Sequence, residues 1–295
     1  MDPGRLQVFL RIVELGSMSA AARAVHLTQP ALSRGMKQLE EEVGVELFER
    51  RGRGLVLTPA GRALVPRARA LLAAAERARL EVGRSARRGY FDLRLGTVDS
   101  VATFLVPRIV EPLRAALPGL VIKFSTARTS LLLQRVRNGE LDLAVVAHSG
   151  PPPDVASERI GAYALQYHGL AARYPGLAAV RTEAELRELP VVEIEPAPGS
   201  GALVPDESLS YAVASNVATV KALVLAGFGV GELPDFMLTR DERSLLVHAR
   251  IPHDPDCALF LARAPDWTGA TESQVSTLIV KTLRHILSER RAARA

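Results

Sequence analysis

The sequence has one cysteine, Cys257, in 295 residues. That excludes an internal disulfide framework and suits a reducing compartment. No stretch of about 18 uncharged apolar residues occurs, so no membrane-spanning segment is expected. Residues 1–30 lack a basic start followed by an apolar core, so no signal peptide is expected and the reading is cytoplasmic. Long repeats and low-complexity segments are missing as well. So are a Gly-x-Ser-x-Gly elbow, a phosphate-binding P-loop and a His-Glu-x-x-His pair. AGFGVGE (226–232) resembles a glycine-rich dinucleotide loop, but it precedes a strand instead of joining strand to helix. His248, His253, Asp254, Asp256 and Cys257 cluster, yet their spacing matches no common zinc finger or helical ligand pair. They read as a surface loop, and His26, His148, His168 and His285 are scattered. The sequence therefore predicts no enzyme, no cofactor and no metal site.

What is present is enough for two or three domains, with 48% hydrophobic residues and 23% charged. The net charge of +5 is distributed unevenly. Residues 1–89 carry 16 Lys/Arg against 9 Asp/Glu, and the remainder 21 against 23. A basic N-terminal third suits a polyanionic partner. An Arg-rich solvated surface from an Arg/Ala-biased genome would look the same by charge alone.

Asp2-Pro3 opens a helix as N-cap and first-turn proline, Leu6, Phe9, Leu10 and Val13 follow at helical spacing, and Gly16 stops it. Ser17 or Ser19 caps a second helix through Val25. Thr28 caps a third, whose apolar residues are Ala31, Leu32, Met36 and Leu39. Two short helices across a tight turn form a helix-turn-helix pattern. Val43, Val45 and Leu47, then Leu55, Val56 and Leu57, suggest two extended segments flanking the basic tip Arg50-Arg51-Gly52-Arg53-Gly54, a β-wing. Thr58-Pro59 starts a long helix closed by Arg87-Arg88-Gly89. Leu64, Ala68, Leu71, Ala75, Ala78 and Val82 recur along it with heptad spacing, and Pro66 should bend it. Such a seam can pack on its own domain; we favour pairing with a second copy, because it continues past any local partner.

From residue 92 the pattern alternates strand and helix: DLRLGTV, Ser100–Leu117, LVIKFSTA, Thr129–Asn138, LDLAVVAH. After Pro151-Pro152-Pro153 it resumes with YALQYHGLAA, Glu183–Leu189, VVEIE, YAVAS, Val217–Ala226, GVGELP, ALFLARA and a last helix, Glu272–Arg291. That alternation predicts a mostly parallel sheet with helices on its faces.

A groove-reading helix presents base contacts from its N-terminal turns. Gln29 can pair with adenine, and Arg34 or Lys37 with guanine, with Ser33 beside them. Pro30 costs little in a turn whose N–H groups have no intrahelical partner. Thr28 caps and can touch phosphate, while Arg50, Arg51 and Arg53 would reach phosphates or the minor groove.

GSMSAAARAVHLTQPALSRGMKQLEEEVGVELFERRGRGLVLTPAG resembles the N-terminal signature of LysR-type transcriptional regulators, in which A-A-x-x-L/V-x-L-S/T-Q-P-A-L-S-R, Q-L-E-E, G-V-x-L-F-x-R and L-T-x-A-G follow in order. The resemblance continues through GELDLAVV and AGFGVGELP. It implies an α/β multidomain chain: a winged helix-turn-helix (1–58), a linker helix for dimerisation (59–88) and a two-lobed, periplasmic-binding-protein-like effector domain (89–295). We expect lobe I at 89–161 and 266–295, and lobe II at 162–265. The implied partners are double-stranded operator DNA, a small effector that alters DNA binding and bending, a second copy or a tetramer, and RNA polymerase. Gly35 departs from the family, which often has a longer polar residue there; it loosens the helix by about 1 kcal/mol relative to Ala.

Ligands of such folds bind at strand C-termini in the cleft between lobes. That selects Asp99, Ser100 and Val101; Arg128, Thr129 and Ser130; His148; Glu195; Asn216; and Gly231. Helix N-termini at Ser100, Ser130 and Asn216 would suit a carboxylate, and Asp99, Glu195 and Glu232 would suit a cation. A zwitterionic or basic effector, such as an amino acid, would satisfy both, although Asp99, Ser100, Thr129 and Asn216 are also ordinary N-cap residues. The competing reading is a cytosolic solute-binding or catalytic α/β domain with a basic N-terminal appendage. The two part on mutation: Arg34→Ala should remove discrimination between operator and random duplex, while Arg51→Ala should weaken both and flatten the salt dependence of Kd. Equal loss of both affinities in Arg34→Ala would count against the assignment.

Overall fold

The computed structural model describes residues 1–51, 54–85, 91–195, 210–252 and 257–292. The side chains of Arg50, Arg51 and Val82 lie outside the described residues, as do Arg53, Arg87-Arg88-Gly89, Pro196, His253, Asp254 and Asp256. Two compact units form, one centred on the chain before Phe91 and one from Phe91 on.

In the first unit, α1 (Pro3–Leu15) starts where the Asp2 carboxylate accepts from Gly4 N–H (2.6 Å) and ends at Gly16, left-handed at φ 62°. Ser17, not Ser19, caps α2 (Met18–Ala24). Thr28 caps α3 (Gln29–Val43) by accepting from Ala31 N–H, and His26 makes the intervening turn at φ 55°. Leu6, Phe9, Ile12, Ala21, Leu32, Met36, Leu39 and Leu47 form the core.

The first expected extended segment is displaced. Val43 ends α3, Val45 is half exposed, and β1 is Phe48–Arg51, paired antiparallel with β2 (Gly54–Leu57). Gly44 holds α3 helical until its left-handed stop (φ 74°). The Glu40 carboxylate then accepts from Leu47 and Phe48 N–H, so the strand begins only there. α4 (Pro59–Ser85) stays helical across Pro66. Thr58 joins it to the wing: its hydroxyl donates to Glu46 O (2.7 Å) and accepts from Gly61 N–H (3.0 Å). A side chain at Gly61 would place Cβ against Leu47 O. The heptad seam divides: Leu64 and Ala68 pack on the core of the unit, whereas Leu71, Ala75 and Ala78 are exposed.

The second unit holds two five-stranded sheets. β3 (Phe91–Thr97), β4 (Leu120–Thr126), β5 (Leu143–Ser149) and β6 (Ala156–Ala162) belong to the first, with α5 (Asp99–Phe104), α6 (Val106–Ala116) and α7 (Thr129–Arg137) between them. β7 (Leu165–Leu170), β8 (Val191–Ile194), β9 (Ser210–Ala214), β10 (Val230–Pro234) and β11 (Leu246–His248) form the second, with α8 (Glu183–Leu186), α9 (Val217–Leu225) and α10 (Arg240–Leu245). β12 (Cys257–Arg263) and α11 (Ala270–Ala292) close the chain.

The orders are β4-β3-β5-β12-β6 and β11-β7-β10-β8-β9. Each sheet is mixed, not mostly parallel as expected. β3 runs parallel to β4 and β5, and β8 parallel to β9 and β10, but β12, β6, β7 and β11 pair antiparallel. The antiparallel strands come from the two crossings of the chain between sheets. They also correct the lobe boundary: β12, expected in lobe II, lies between β5 and β6 of the first sheet. Ala258–Ala262 are buried on both faces, as an interior strand requires. The expected helix Ser100–Leu117 is two helices, because Pro107 has no N–H to return to Thr103 and α5 ends at Phe104. The strands β6 and β11 and the helix α10 were not expected.

One apolar cluster serves both sheets, from Leu93, Leu95, Ile109, Leu259 and Leu283 to Val220, Val224 and Leu233. Lys221 is buried beside it. Its ammonium donates to Met237 O (2.8 Å), pairs with Glu242 (2.8 Å) and lies 4.7 Å from the Phe104 ring centroid. Burial would raise the Glu242 carboxyl pKa, but hydrogen bonds from Lys221 and Thr239 outweigh it and hold the group below its ordinary value.

Two glycines differ in what a methyl group would meet. Gly35 has no atom within 4 Å of an added Cβ, and it borders a cavity of about 260 Å³ between α1 and α3. Gly35→Ala is therefore expected to stabilise the first unit by about 1 kcal/mol through helix propensity. At Gly231 an added Cβ would stand 2.6 Å from Val220 Cγ1 and 2.9 Å from Val224 Cγ2. Gly231→Ala should cost about 1–3 kcal/mol by overpacking. Urea unfolding of the two variants checks both signs.

Candidate nucleic-acid interface and effector cavity

α3 divides its residues cleanly. Leu32, Met36 and Leu39 are buried, while Thr28, Gln29, Pro30, Ser33, Arg34 and Lys37 are all exposed. Helical spacing accounts for most of the split: 32, 36 and 39 share one face and 33, 34 and 37 turn away from it, while Gln29 is exposed as the first residue of the helix. Gln29 Oε1 accepts from the Ser19 hydroxyl (3.1 Å), which orients the amide at the start of the helix. Lys37 lies 4.0 Å from Glu41, 79% exposed, and stays available to another anion. The exposed side of α3 thus carries an amide, a hydroxyl, a guanidinium and an ammonium, side-chain types able to bond base edges.

The second feature is a cavity of about 510 Å³ in the second unit, where strands of both sheets end. The segment after β3 contributes Val98, Asp99 and Ser100, the segment after β4 contributes Thr126–Thr129, and β5 contributes Ala147. From the other sheet come Leu165, Ile194, Ser215, Asn216, Val217, Glu232 and Pro234. Strand C-termini leave such a crevice because the helices that follow turn away from it.

Six of the expected residues meet here: Asp99, Ser100, Arg128, Thr129, Asn216 and Glu232. Asn216 caps α9, accepting from Thr219 N–H (2.9 Å), and Thr129 Oγ1 donates to Ala147 O (3.1 Å). Arg128 Nη2 donates to Glu195 O (3.0 Å) and so joins the two lobes. Asp99 is the first residue of α5; its Oδ2 is buried with no hydrogen-bond partner among the described residues.

The others do not line the cavity. Val101 belongs to the apolar core, and Gly231 faces α9. His148 Nδ1 contacts Gly150 O (2.9 Å). Ser130 and the Glu195 side chain are not among the lining groups. Glu232 does line it: one residue beyond Gly231, strand alternation turns it to the opposite face of β10. Burial raises its carboxyl pKa, and Glu183 raises it further. Tyr167, paired with Glu232 across the strands, has its phenol pushed up to about 12 by burial and then by that carboxylate. Leu165, Ile194 and Pro234 carried no sequence signal, being apolar residues in apolar strands.

The His248 ring lies 5.8 Å from that of His168, tilted by 56°, and the Cys257 thiol donates to the Tyr163 hydroxyl (3.0 Å). Among the described residues no three His, Cys, Asp or Glu side chains gather to hold a metal ion, and no helix is long and apolar enough to cross a membrane.

Residues 3–62 match the bacterial regulatory helix-turn-helix protein model of the lysR family, and residues 92–270 the LysR substrate binding domain. The chain is similar to the HTH-type transcriptional regulator PecT of Dickeya dadantii, with 27% identity over 97% of this chain and 90% of PecT. It is also similar to the HTH-type transcriptional regulator BbuR of Bordetella bronchiseptica, with 34% identity over 52% of this chain and 48% of BbuR. That second match spans about half the length of BbuR. Among solved structures, CbnR, a LysR family transcriptional regulator, has a similar fold (TM-score 0.64, 19% identity, 97% of this chain and 99% of CbnR). So has full-length CbnR complexed with target DNA (TM-score 0.62, 19% identity, 97% and 100% covered). With both family models matched in chain order, the chain belongs to the LysR family of bacterial helix-turn-helix regulators.

Proposed function

We propose that the protein binds an operator through α3 and the wing, as a dimer paired along α4, and that a small molecule in the cavity changes how it binds and bends DNA. The division of α3 into a buried and a polar exposed face carries the reading. Thr28, Gln29, Pro30, Ser33, Arg34 and Lys37 supply the contacts at the groove, and Arg50, Arg51 and Arg53 supply phosphate contacts from the wing. Leu71, Ala75 and Ala78 support pairing, since an apolar stripe on a solvated helix is stabilised by a second copy. The effector is an amino acid or a carboxylate, held by Asp99, Ser100, Arg128, Thr129 and Asn216. The setting is cytoplasmic, and tetramer formation and contact with RNA polymerase belong to the same reading.

A dimer of such units reads two half-sites about one helical turn apart. Selection of random duplexes by the full-length protein should therefore enrich a two-fold symmetric motif with that spacing. Leu71→Glu/Ala75→Glu should weaken binding to the enriched duplex at least ten-fold while leaving the helical content of the protein intact. If no motif is enriched, and ligand binding survives deletion of residues 1–89, the solute-binding or catalytic alternative replaces this reading.

A further inference from the structure

We infer that Ser19 is a positioning residue for sequence readout: its hydroxyl, acting through the Gln29 amide, sets the base preference at the start of α3. The inference rests on the reading of α3 as the helix that enters the groove, and it names the residue that fixes one of its contacts.

Ser19 lies in the first turn of α2, and Gln29 is the first residue of α3. The Ser19 hydroxyl donates to Gln29 Oε1 over 3.1 Å. Neither helix start uses this bond. Ser17 accepts from Ala20 N–H to cap α2, and Thr28 accepts from Ala31 N–H to cap α3. Packing does not depend on it either. Ala21 and Ala22 of α2 and Leu32 and Met36 of α3 are buried in one apolar core, whereas Ser19 is half-buried and Gln29 exposed. A hydrogen bond open to solvent exchanges with water at small net gain.

What the bond restricts is the amide. Gln is a long side chain that samples many rotamers in water, and fixing it on a base opposes binding. A side chain already held loses less of that freedom when the base arrives. The bond also occupies one of the two Oε1 lone pairs. The other lone pair and both Nε2 N–H donors remain. That acceptor and donor match N6 and N7 of adenine in the major groove. An amide free to turn presents the two groups in either order, while one bonded at Oε1 presents them in one order. Removing the hydroxyl should therefore relax preference at a single base pair and leave the rest of the contact surface as it was.

The test uses the full-length protein, the duplex enriched from random sequences, and variants of that duplex changed at one base pair each. Ser19→Ala should weaken binding to the enriched duplex about three- to ten-fold, the range for one rotamer-rich side chain that must be ordered on binding. The loss should vanish on duplexes changed at the one position per half-site that Gln29→Ala also relaxes. Affinity for random duplex, and the salt dependence of Kd, should stay at the wild-type values. Ser19→Ala/Gln29→Ala should bind as Gln29→Ala does, because the two residues act as one unit. Ser19→Thr, which keeps the hydroxyl, should keep the wild-type preference. A serine with only a structural role would instead lower the Tm and weaken every duplex alike.

Wild-type preference at every position in Ser19→Ala overturns the inference. So do additive losses in the double variant. Equal loss on enriched and random duplexes with a shallower salt dependence also overturns it, and makes Ser19 a phosphate contact. If Gln29→Ala relaxes one position and Ser19→Ala relaxes none, this inference alone fails and α3 remains the reader. If Ser19→Ala, Gln29→Ala and Arg34→Ala all leave the preference unchanged, the reading of α3 fails and this inference falls with it.

Discussion

The two sheets of the second unit share one apolar core, and that continuity governs everything built on them. Leu93 and Leu95 on one side and Val220, Val224 and Leu233 on the other belong to a single cluster. Its border is closed by a buried charge. The Lys221 ammonium is held by Met237 O and Glu242 and lies over the Phe104 ring, so α9 of one sheet is tied to α5 of the other. Removing one partner of such a pair leaves a buried ion uncompensated, which makes the seam sensitive to exchange of either residue. The cavity begins where this core ends, at the strand termini. Its polar lining is a consequence of that position: the last residues of strands and the first of helices carry N–H, hydroxyl and carboxylate groups that the core cannot accept.

The first unit follows a different rule. Its helices are short, so end effects decide them. Asp2, Ser17, Thr28 and Thr58 each accept an N–H from the first turn that follows. Glu40 performs a similar task for the wing, satisfying two N–H groups just before β1. On the exposed face of α3, Gln29 is braced by Ser19 and Lys37 pairs loosely with Glu41.

Much of this was legible in the sequence, because caps and periodicity are local. Thr28-Gln29-Pro30 set the start of α3, and its spacing set the faces. The strand–helix alternation marked the α/β unit and the strand ends that build the cavity. What was not legible depended on pairing between distant segments. ALFLARA is apolar enough to join either sheet, and only its pairing with β5 and β6 places it in the first. ASERIGA, the edge strand β6, lacks the apolar run that would mark it. Face assignments failed in short elements: Val101 turns into the core because α5 begins at Asp99, and Gly231 turns to α9 while Glu232 turns to the cavity. The apolar wall of the cavity was invisible because Leu165, Ile194 and Pro234 look like any other core residue until the sheets are assembled.

Thr58 and Gly61 have a consequence for distance measurement. The Thr58 hydroxyl bonds to both Glu46 O and Gly61 N–H, and Gly61 lies against Leu47 O, so the base of α4 and the foot of the wing are one rigid joint. In the dimer proposed above, such a joint would convert the crossing angle of two paired α4 helices into a fixed separation between their α3 helices. Half-site spacing would then depend on a threonine and a glycine that lie outside the exposed face of α3.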